Sequence, residues 1–362
     1  MSHLPTVSIP VVITSMSDFD RILLSAQHHG SSDIFLNSKQ PAMAKTHGRN
    51  SPLTERPIQD GELTKFIELS YGLDGPSRLG ASTPLNYKYD IAYERKKKVR
   101  FRVNATKSDH GYFIAIRHIP EIPPTIDDLN VEPEIVECIR QTKYGIFFVC
   151  GATGNGKSTL LSSIVRSKLE DETDNNIVTY EMPIEYGYFS IQRGSNLISQ
   201  HEIGVHVESF SKGVINAMRQ SPTVILVGES RDHETISASL EAATTGHQVF
   251  TTLHTTDVGK TFPRIISMFP LSVQDREKNT LIDTTAMIIC QRLVPTRDGK
   301  RHAIREFIRF DDDIRNMLRK SKDFSSTIAS EISNKGKTFA QDLDFLLQEK
   351  LIDEKTRDKY LF

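Results

Sequence analysis

One stretch constrains this chain more than any other. Gly151-Ala152-Thr153-Gly154-Asn155-Gly156-Lys157-Ser158 follows directly on the apolar run Gly145-Ile146-Phe147-Phe148-Val149-Cys150. The first segment has the form G-x-x-x-x-G-K-S, a phosphate loop. Its glycines let the backbone curl so that successive N–H groups point inward at phosphate oxygens. Lys157 reaches the β and γ phosphates as a point charge, and Ser158 can ligate Mg²⁺. Thr159-Leu160-Leu161 then opens a helix whose positive end faces the same anion. An apolar strand, a loop and a helix in that order predict an α/β domain that binds a nucleoside triphosphate, with ATP and Mg²⁺ as its cofactors.

The rest of the second half repeats the pattern. Ile177 to Glu181, Val224 to Val227, Gln248 to Leu253 and Gln291 to Pro295 read as strands, most of them separated by helical stretches. That alternation predicts a mostly parallel sheet covered on both faces. The first half reads differently. Ser17 is expected to cap a helix whose apolar face is Phe19, Ile22, Leu23 and Ala26, stopped at Gly30. Asp33 to Leu36, Tyr87 to Tyr93, Val99 to Val103 and Tyr112 to Arg117 read as strands returning in short succession, an antiparallel α+β domain. Three prolines lie within Ile119-Pro120-Glu121-Ile122-Pro123-Pro124 and mark a linker. The expected division is 1–118 for the small domain, 119–130 for the linker, 131–311 for the phosphate-loop domain and 312–362 for a helical tail. In the tail Phe339, Leu343, Leu346, Leu347 and Leu351 recur at helical spacing.

Composition excludes several classes. Three cysteines among 362 residues, none in a C-x-x-C pair, leave neither a disulfide framework nor a four-cysteine zinc site, and suit a reducing cytosol. No stretch approaches 18 consecutive apolar residues, and Met1 to Ser15 lacks the charged start of an export signal. Membrane association is therefore expected only through a partner or a surface. A net charge of −1 and the absence of tryptophan argue against nucleic acid as a direct ligand.

Two acids stand at expected strand ends. Glu229 follows Val224-Ile225-Leu226-Val227-Gly228 and is placed beside the phosphate loop, to hold Mg²⁺ or its waters or to position the attacking water. Glu181 closes Thr179-Tyr180-Glu181 and is the first choice for activating that water, with pairing to a local arginine as the bland alternative. His247 and His254 flank the strand Gln248 to Leu253. They are either structural or sensors of the γ-phosphate or of an acidic residue. Arg95 to Lys98 read as a solvated hairpin that blunts a sheet edge. Arg100 and Arg102 share one face of their strand, and Arg117 ends the next. An arginine on a separate domain can reach across an interface to a γ-phosphate.

These motifs, in this order, resemble those of the secretion traffic ATPases, the family of the PilT pilus-retraction motors and the type II and type IV secretion ATPases. The carriers are the phosphate loop, Glu181 with Pro183-Ile184-Glu185, Gly228-Glu229-x-Arg231-Asp232, and Thr245-Gly246-His247 through His254. Gly30 to Leu36, Arg100 to Asn104 and Arg117 resemble motifs of the family's N-terminal domain. The resemblance implies a hexameric ring with a PAS-like N-terminal domain and a RecA-like ATPase domain. It implies that Glu181 is the catalytic glutamate, Glu229 the Walker B acid, and His247 and His254 the family's histidine pair. It also implies that Arg102 and Arg117 contact nucleotide phosphates at a subunit interface. Met182 stands where PilT-type motors carry aspartate. Leu160-Leu161, Gln291-x-Leu293-Val294-Pro295-Thr296, Asp298-Gly299-Lys300-Arg301 and the tail from Gly336 to Leu351 resemble the DotB branch, which serves Dot/Icm-type (type IVB) secretion, and the related TraJ-type conjugation ATPases.

The expected function is thus Mg-dependent ATP hydrolysis by a cytosolic homo-hexameric motor. It would sit at the inner-membrane apparatus of type IVB secretion or conjugation and hinge at the proline linker. A docking scaffold with little turnover, a pilus-retraction motor and a nucleic-acid motor are the competing readings.

Overall fold

In the computed structural model the described residues are 6–46, 49–93, 97–120, 122–188 and 190–361. The chain divides into two compact units, 1–121 and 122–362. Arg95 and Lys96 of the basic run lie outside the described residues.

The first unit runs α1 (Met16–His28), β1 (Asp33–Asn37), β2 (Met43–Thr46), β3 (Arg49–Pro52), α2 (Asp60–Ser70), α3 (Gly75–Gly80), β4 (Leu85–Tyr93), β5 (Lys97–Ser108) and β6 (Gly111–Ile119). Its six strands form an antiparallel sheet in the order β3-β2-β1-β6-β5-β4. The period of two sorts the side chains. Ile34 and Leu36, Phe101 and Val103, and Ile114 and Ile116 are buried, in one core with Phe19, Ile22, Leu23 and Ala26 of α1. Helix α1 begins at Met16, two residues earlier than a cap at Ser17 would place it. Ser17 lies inside its first turn, while the hydroxyl of the preceding Ser15 donates to Asp18 Oδ2 at 2.8 Å, so Ser17 is not the cap. Gly30 follows the helix with a positive φ of 70°.

The second unit runs α4 (Pro133–Gln141), β7 (Gly145–Cys150), α5 (Lys157–Glu170), β8 (Asn176–Glu181), β9 (Leu197–Glu202), α6 (Phe210–Ala217), β10 (Val224–Val227), α7 (His233–Thr244) and β11 (Gln248–Leu253). It continues through α8 (Thr261–Ile266), α9 (Gln274–Thr284), β12 (Thr285–Pro295), β13 (Arg301–Arg309), α10 (Asp312–Lys320), α11 (Phe324–Lys335), β14 (Gly336–Lys337), α12 (Phe339–Gln348) and α13 (Glu354–Leu361). The sheet order is β14-β13-β12-β7-β11-β10-β8-β9. From β12 to β9 every pairing is parallel, and β13 and β14 add an antiparallel edge.

All six residues of β7 are buried, because the sheet is covered on both sides. Ile146, Phe148 and Cys150 pack with residues of α6, α7, α8 and α9. Phe147 and Val149 pack with α4 and α5. The continuous apolar runs of the sequence are the signature of this double burial. The tail departs from pure helix at β14, which pairs with β13, and Leu351 falls after the end of α12. Among the described residues no helix is long and apolar enough to cross a membrane.

Candidate active site

Parallel strands end on the same side of a sheet, so β7, β8, β10 and β11 deliver their next residues to one pole. The phosphate loop leaves β7 there. Gly151, Gly154 and Gly156 hold φ of 146°, 83° and 76°, in the region that favours glycine. A side chain at Gly151 would also meet the Gln291 carbonyl oxygen at 2.5 Å. Asn155 anchors the loop to β12, accepting from Leu293 N–H at 3.2 Å through its side chain and from Gln291 Nε2 at 2.7 Å through its carbonyl. Ala152, Thr153 and Gly154 form the exposed tip.

Lys157 and Ser158 open α5, whose positive end faces the loop. The Lys157 ammonium donates to the carbonyls of Gly151 at 2.7 Å and Ala152 at 3.1 Å. Burial lowers its pKa, opposed by the charges of Glu229, Cys150 and Glu185. Thr159, one residue past Ser158, meets Tyr186 Oη at 3.2 Å.

Glu181 is the last residue of β8 and is 6% exposed. Its Oε1 accepts from Thr179 Oγ1 at 2.7 Å and Gln200 Nε2 at 3.2 Å. Burial pushes its carboxyl above the usual range. The Thr179 and Gln200 donors and the Glu185 backbone N–H oppose that rise without cancelling it. These partners are neutral, so the pairing with a local arginine weighed from the sequence is not what holds it. Gln200 also donates to the Tyr186 carbonyl at 3.0 Å, tying β9 to the loop that follows Glu181.

Glu229 follows β10 with its side chain 15% exposed. His254 Nε2, just past β11, lies 2.7 Å from Glu229 Oε1, and Arg231 Nε contacts the same oxygen. Burial pushes this carboxyl up, but the Arg231 ion pair and then His254 outweigh it and hold the pKa below the usual range. The neighbouring motif residue Asp232 caps α7, accepting from Thr235 N–H at 2.7 Å.

His247 is not brought to this pole. It precedes β11, and its Nδ1 lies 2.9 Å from the Ala242 carbonyl. His254 follows the same strand, so six extended residues put the two histidines about 20 Å apart. The two histidines therefore stand at opposite ends of β11, and only His254 lies at the end that carries the phosphate loop. Arg102 and Arg117 belong to the first unit. They face one another across β5 and β6, and Arg117 Nε donates to Asp33 Oδ1 at 2.8 Å.

The sequence reading did not single out Gln200, Tyr186 or Arg305. Strand β9 escaped it because Leu197-Ile198-Ser199-Gln200-His201-Glu202 carries too few apolar residues to announce a strand. A phosphate loop, a desolvated carboxyl and a second carboxyl kept ionised form a set able to bind and hydrolyse a nucleoside triphosphate. Mg²⁺ takes hard oxygens, keeps several waters and shares its shell with substrate phosphates. The Ser158 hydroxyl and the ionised Glu229 fit that donor chemistry. Among the described residues no three His, Cys, Asp or Glu side chains cluster as an all-protein metal cage.

The family described as type II/IV secretion system protein matches residues 13–341. The type IV pilus retraction ATPase PilT of Pseudomonas aeruginosa is 30% identical over 331 residues, 91% of this chain and 93% of that one. A twitching motility protein of Neisseria gonorrhoeae is 35% identical over 270 residues, 74% of this chain and 71% of its own length. Among solved structures, the ATPase DotB of Legionella pneumophila superposes with a TM-score of 0.89 at 35% identity, over 99% of this chain and 98% of that one. The pilus retraction motor PilT with bound ADP gives 0.84 at 29% identity, over 94% and 96%.

Proposed function

We propose a specific role for this chain, which belongs to the type II/IV secretion system protein family and is a nucleotide-binding ATPase of that family. It is a Mg-dependent motor that energises type IVB (Dot/Icm-like) secretion or conjugative transfer. It works as a homo-hexameric ring in the cytoplasm, docked on the inner-membrane apparatus. The likeness to the Legionella ATPase DotB along nearly the whole chain supports this role. In this reading 131–311 is a RecA-like ATPase domain, 1–118 a PAS-like domain, 119–130 the hinge and 312–362 a helical tail.

The observation that carries the chemistry is the contrast between Glu181 and Glu229 at the pole of the phosphate loop. The loop N–H groups and Lys157 hold the β and γ phosphates. Ser158 and Glu229 would hold Mg²⁺, which would neutralise phosphate charge. Glu181, poorly solvated and raised in basicity, takes a proton from water as its oxygen attacks the γ phosphorus and ADP leaves. His254 reports on Glu229. Arg102 and Arg117 act on a neighbouring subunit's nucleotide.

The test is Mg-dependent phosphate release per protomer over a wide range of protein concentration, with particle size read on the same samples. Activity that rises as rings form supports a site completed between subunits. ATP binding without turnover in assembled rings replaces the motor by a docking scaffold, a reading kept open by Met182 at the family's aspartate position. The relatives that retract pili favour a second reading, a retraction motor. Loss of twitching with intact secretion and conjugation, on deletion of the chain, would select it.

A further inference from the structure

The bond from Gln291 that anchors the phosphate loop is one end of a buried polar chain that runs to the segment leaving the linker. Arg305 on β13 is 1% exposed, and it faces Gln291 of β12 in the sheet register. Its Nε donates to Gln291 Oε1 at 2.9 Å. Its Nη1 donates to the Asn130 carbonyl at 3.0 Å and to Glu132 Oε2 at 3.2 Å, and its Nη2 to the Leu129 carbonyl at 3.0 Å. Gln291, itself 3% exposed, passes its amide Nε2 to the Asn155 carbonyl of the loop at 2.7 Å. Glu132 is also paired with Lys337 at 3.3 Å, and Asp342 accepts the Arg305 backbone N–H at 2.7 Å.

Two constraints follow. A guanidinium has donors only, so Arg305 dictates which end of the Gln291 amide faces it. The oxygen must turn toward Arg305, and the NH₂ is thereby aimed at Asn155. A buried charge that loses its partners is strongly destabilised, so Arg305 cannot shift away from 129–132 while the loop stays in place. The loop cannot retreat from Gln291 cheaply either, since it would strand a buried amide.

We infer that Gln291 and Arg305 are positioning residues that make the phosphate loop and segment 129–132 respond together, so that nucleotide binding at the loop tightens the exit of the linker. The inference rests on the nucleotide reading of the loop. Coupling of this kind is reciprocal, so loosening the relay must also weaken nucleotide binding.

The test uses the full chain with MgADP as the probe. Hydrogen exchange is followed over 125–132, where the amides of Asn130 and Val131 donate to Asp127 and Ile126 carbonyls. In the wild type MgADP slows exchange there. Gln291→Glu keeps an oxygen for Arg305 and removes the donor to Asn155. It sets a buried carboxylate oxygen against the Asn155 carbonyl, so it is expected to lower the melting temperature of the nucleotide-free protein, raise the MgADP Kd about tenfold, and abolish the exchange response at 125–132. Wild-type protein that binds MgADP with unchanged exchange at 125–132 overturns the inference alone. So does a folded Gln291→Glu variant that binds MgADP like the wild type. Wild-type protein that does not bind MgADP overturns the nucleotide reading and the inference together. The wild-type comparison stands whether or not the variant folds.

Discussion

Glu181 and Glu229 end neighbouring parallel strands of one sheet, and both are largely buried, yet their environments push them in opposite directions. Glu181 accepts from a hydroxyl, a carboxamide and a backbone N–H, all neutral, and burial, helped slightly by the like charge of Glu185, wins. Glu229 is met by Arg231 and His254, and the partners win. Glu62 in the first unit repeats the second case. It is 4% exposed, and Arg56 at 2.6 Å with backbone donors from Gln59 and Ile13 overcomes burial to hold it low. Burial alone therefore does not set the charge of a carboxyl here; the charge of its partners does. Two carboxyls driven apart in this way divide the labour at an active site, one as the proton acceptor and one as the fixed anion.

The sharpest way to break the comparison is to neutralise each acid. Glu181→Gln is expected to bind MgATP normally and to lose about 10²–10⁴-fold in kcat, the range of a lost general base. Phosphate release together with nucleotide affinity checks it. Lys157→Ala should follow, with a loss of about 10²–10³-fold in kcat/KM as transition-state charge loses its partner. Glu229→Gln is expected to cost about tenfold at limiting Mg²⁺ and to recover in part at high Mg²⁺, as one of few protein oxygens on the ion is weakened. A Mg²⁺ titration of activity distinguishes it from Glu181→Gln, which no metal concentration should rescue.

Smaller effects sharpen the same contrast. Thr179→Val and Gln200→Leu each remove a donor that favours the charged form of Glu181. Each should lower kcat by about three- to tenfold at neutral pH and move the acid limb of the rate profile to higher pH. The smallest expected effect is on stability. A carboxyl whose folded pKa is raised costs stability as pH rises from its unfolded pKa through its folded one, and the full cost persists above that. A carboxyl whose folded pKa is lowered adds stability above its unfolded pKa and loses it as pH falls through the folded one. At neutral pH, Glu181→Gln should therefore raise Tm by a few degrees and Glu229→Gln should lower it. Both differences should shrink toward acid pH, as thermal melts at several pH values will show.

Much of this site was legible in the sequence, and for a physical reason. A phosphate loop needs glycines at fixed spacing, and double burial makes each central strand an unbroken apolar run, so the acid just past its end is easy to place. Glu181 and Glu229 stand at the strand ends where that pattern puts them, and His254 follows β11 in the same way. His247 precedes β11 and so lies at the end of the strand opposite His254. Strand β9 was missed because an edge strand needs little apolar surface, and Gln200 went with it. Arg305 was missed because arginine is normally a surface residue, and only the three-dimensional accounting of its donors shows why it is buried. At the start of α1 Ser15 takes the cap position without a side-chain bond to the helix backbone, its hydroxyl donating to Asp18 instead.

The division of roles between Glu181 and Glu229 is tested most directly by the pH dependence of single-turnover hydrolysis of bound MgATP by wild type, Glu229→Gln and Glu181→Gln. It predicts an acid limb above the usual carboxylate range, shared by wild type and Glu229→Gln and absent from Glu181→Gln. An acid limb that persists unchanged in Glu181→Gln, or a Glu181→Gln rate equal to wild type, would contradict it.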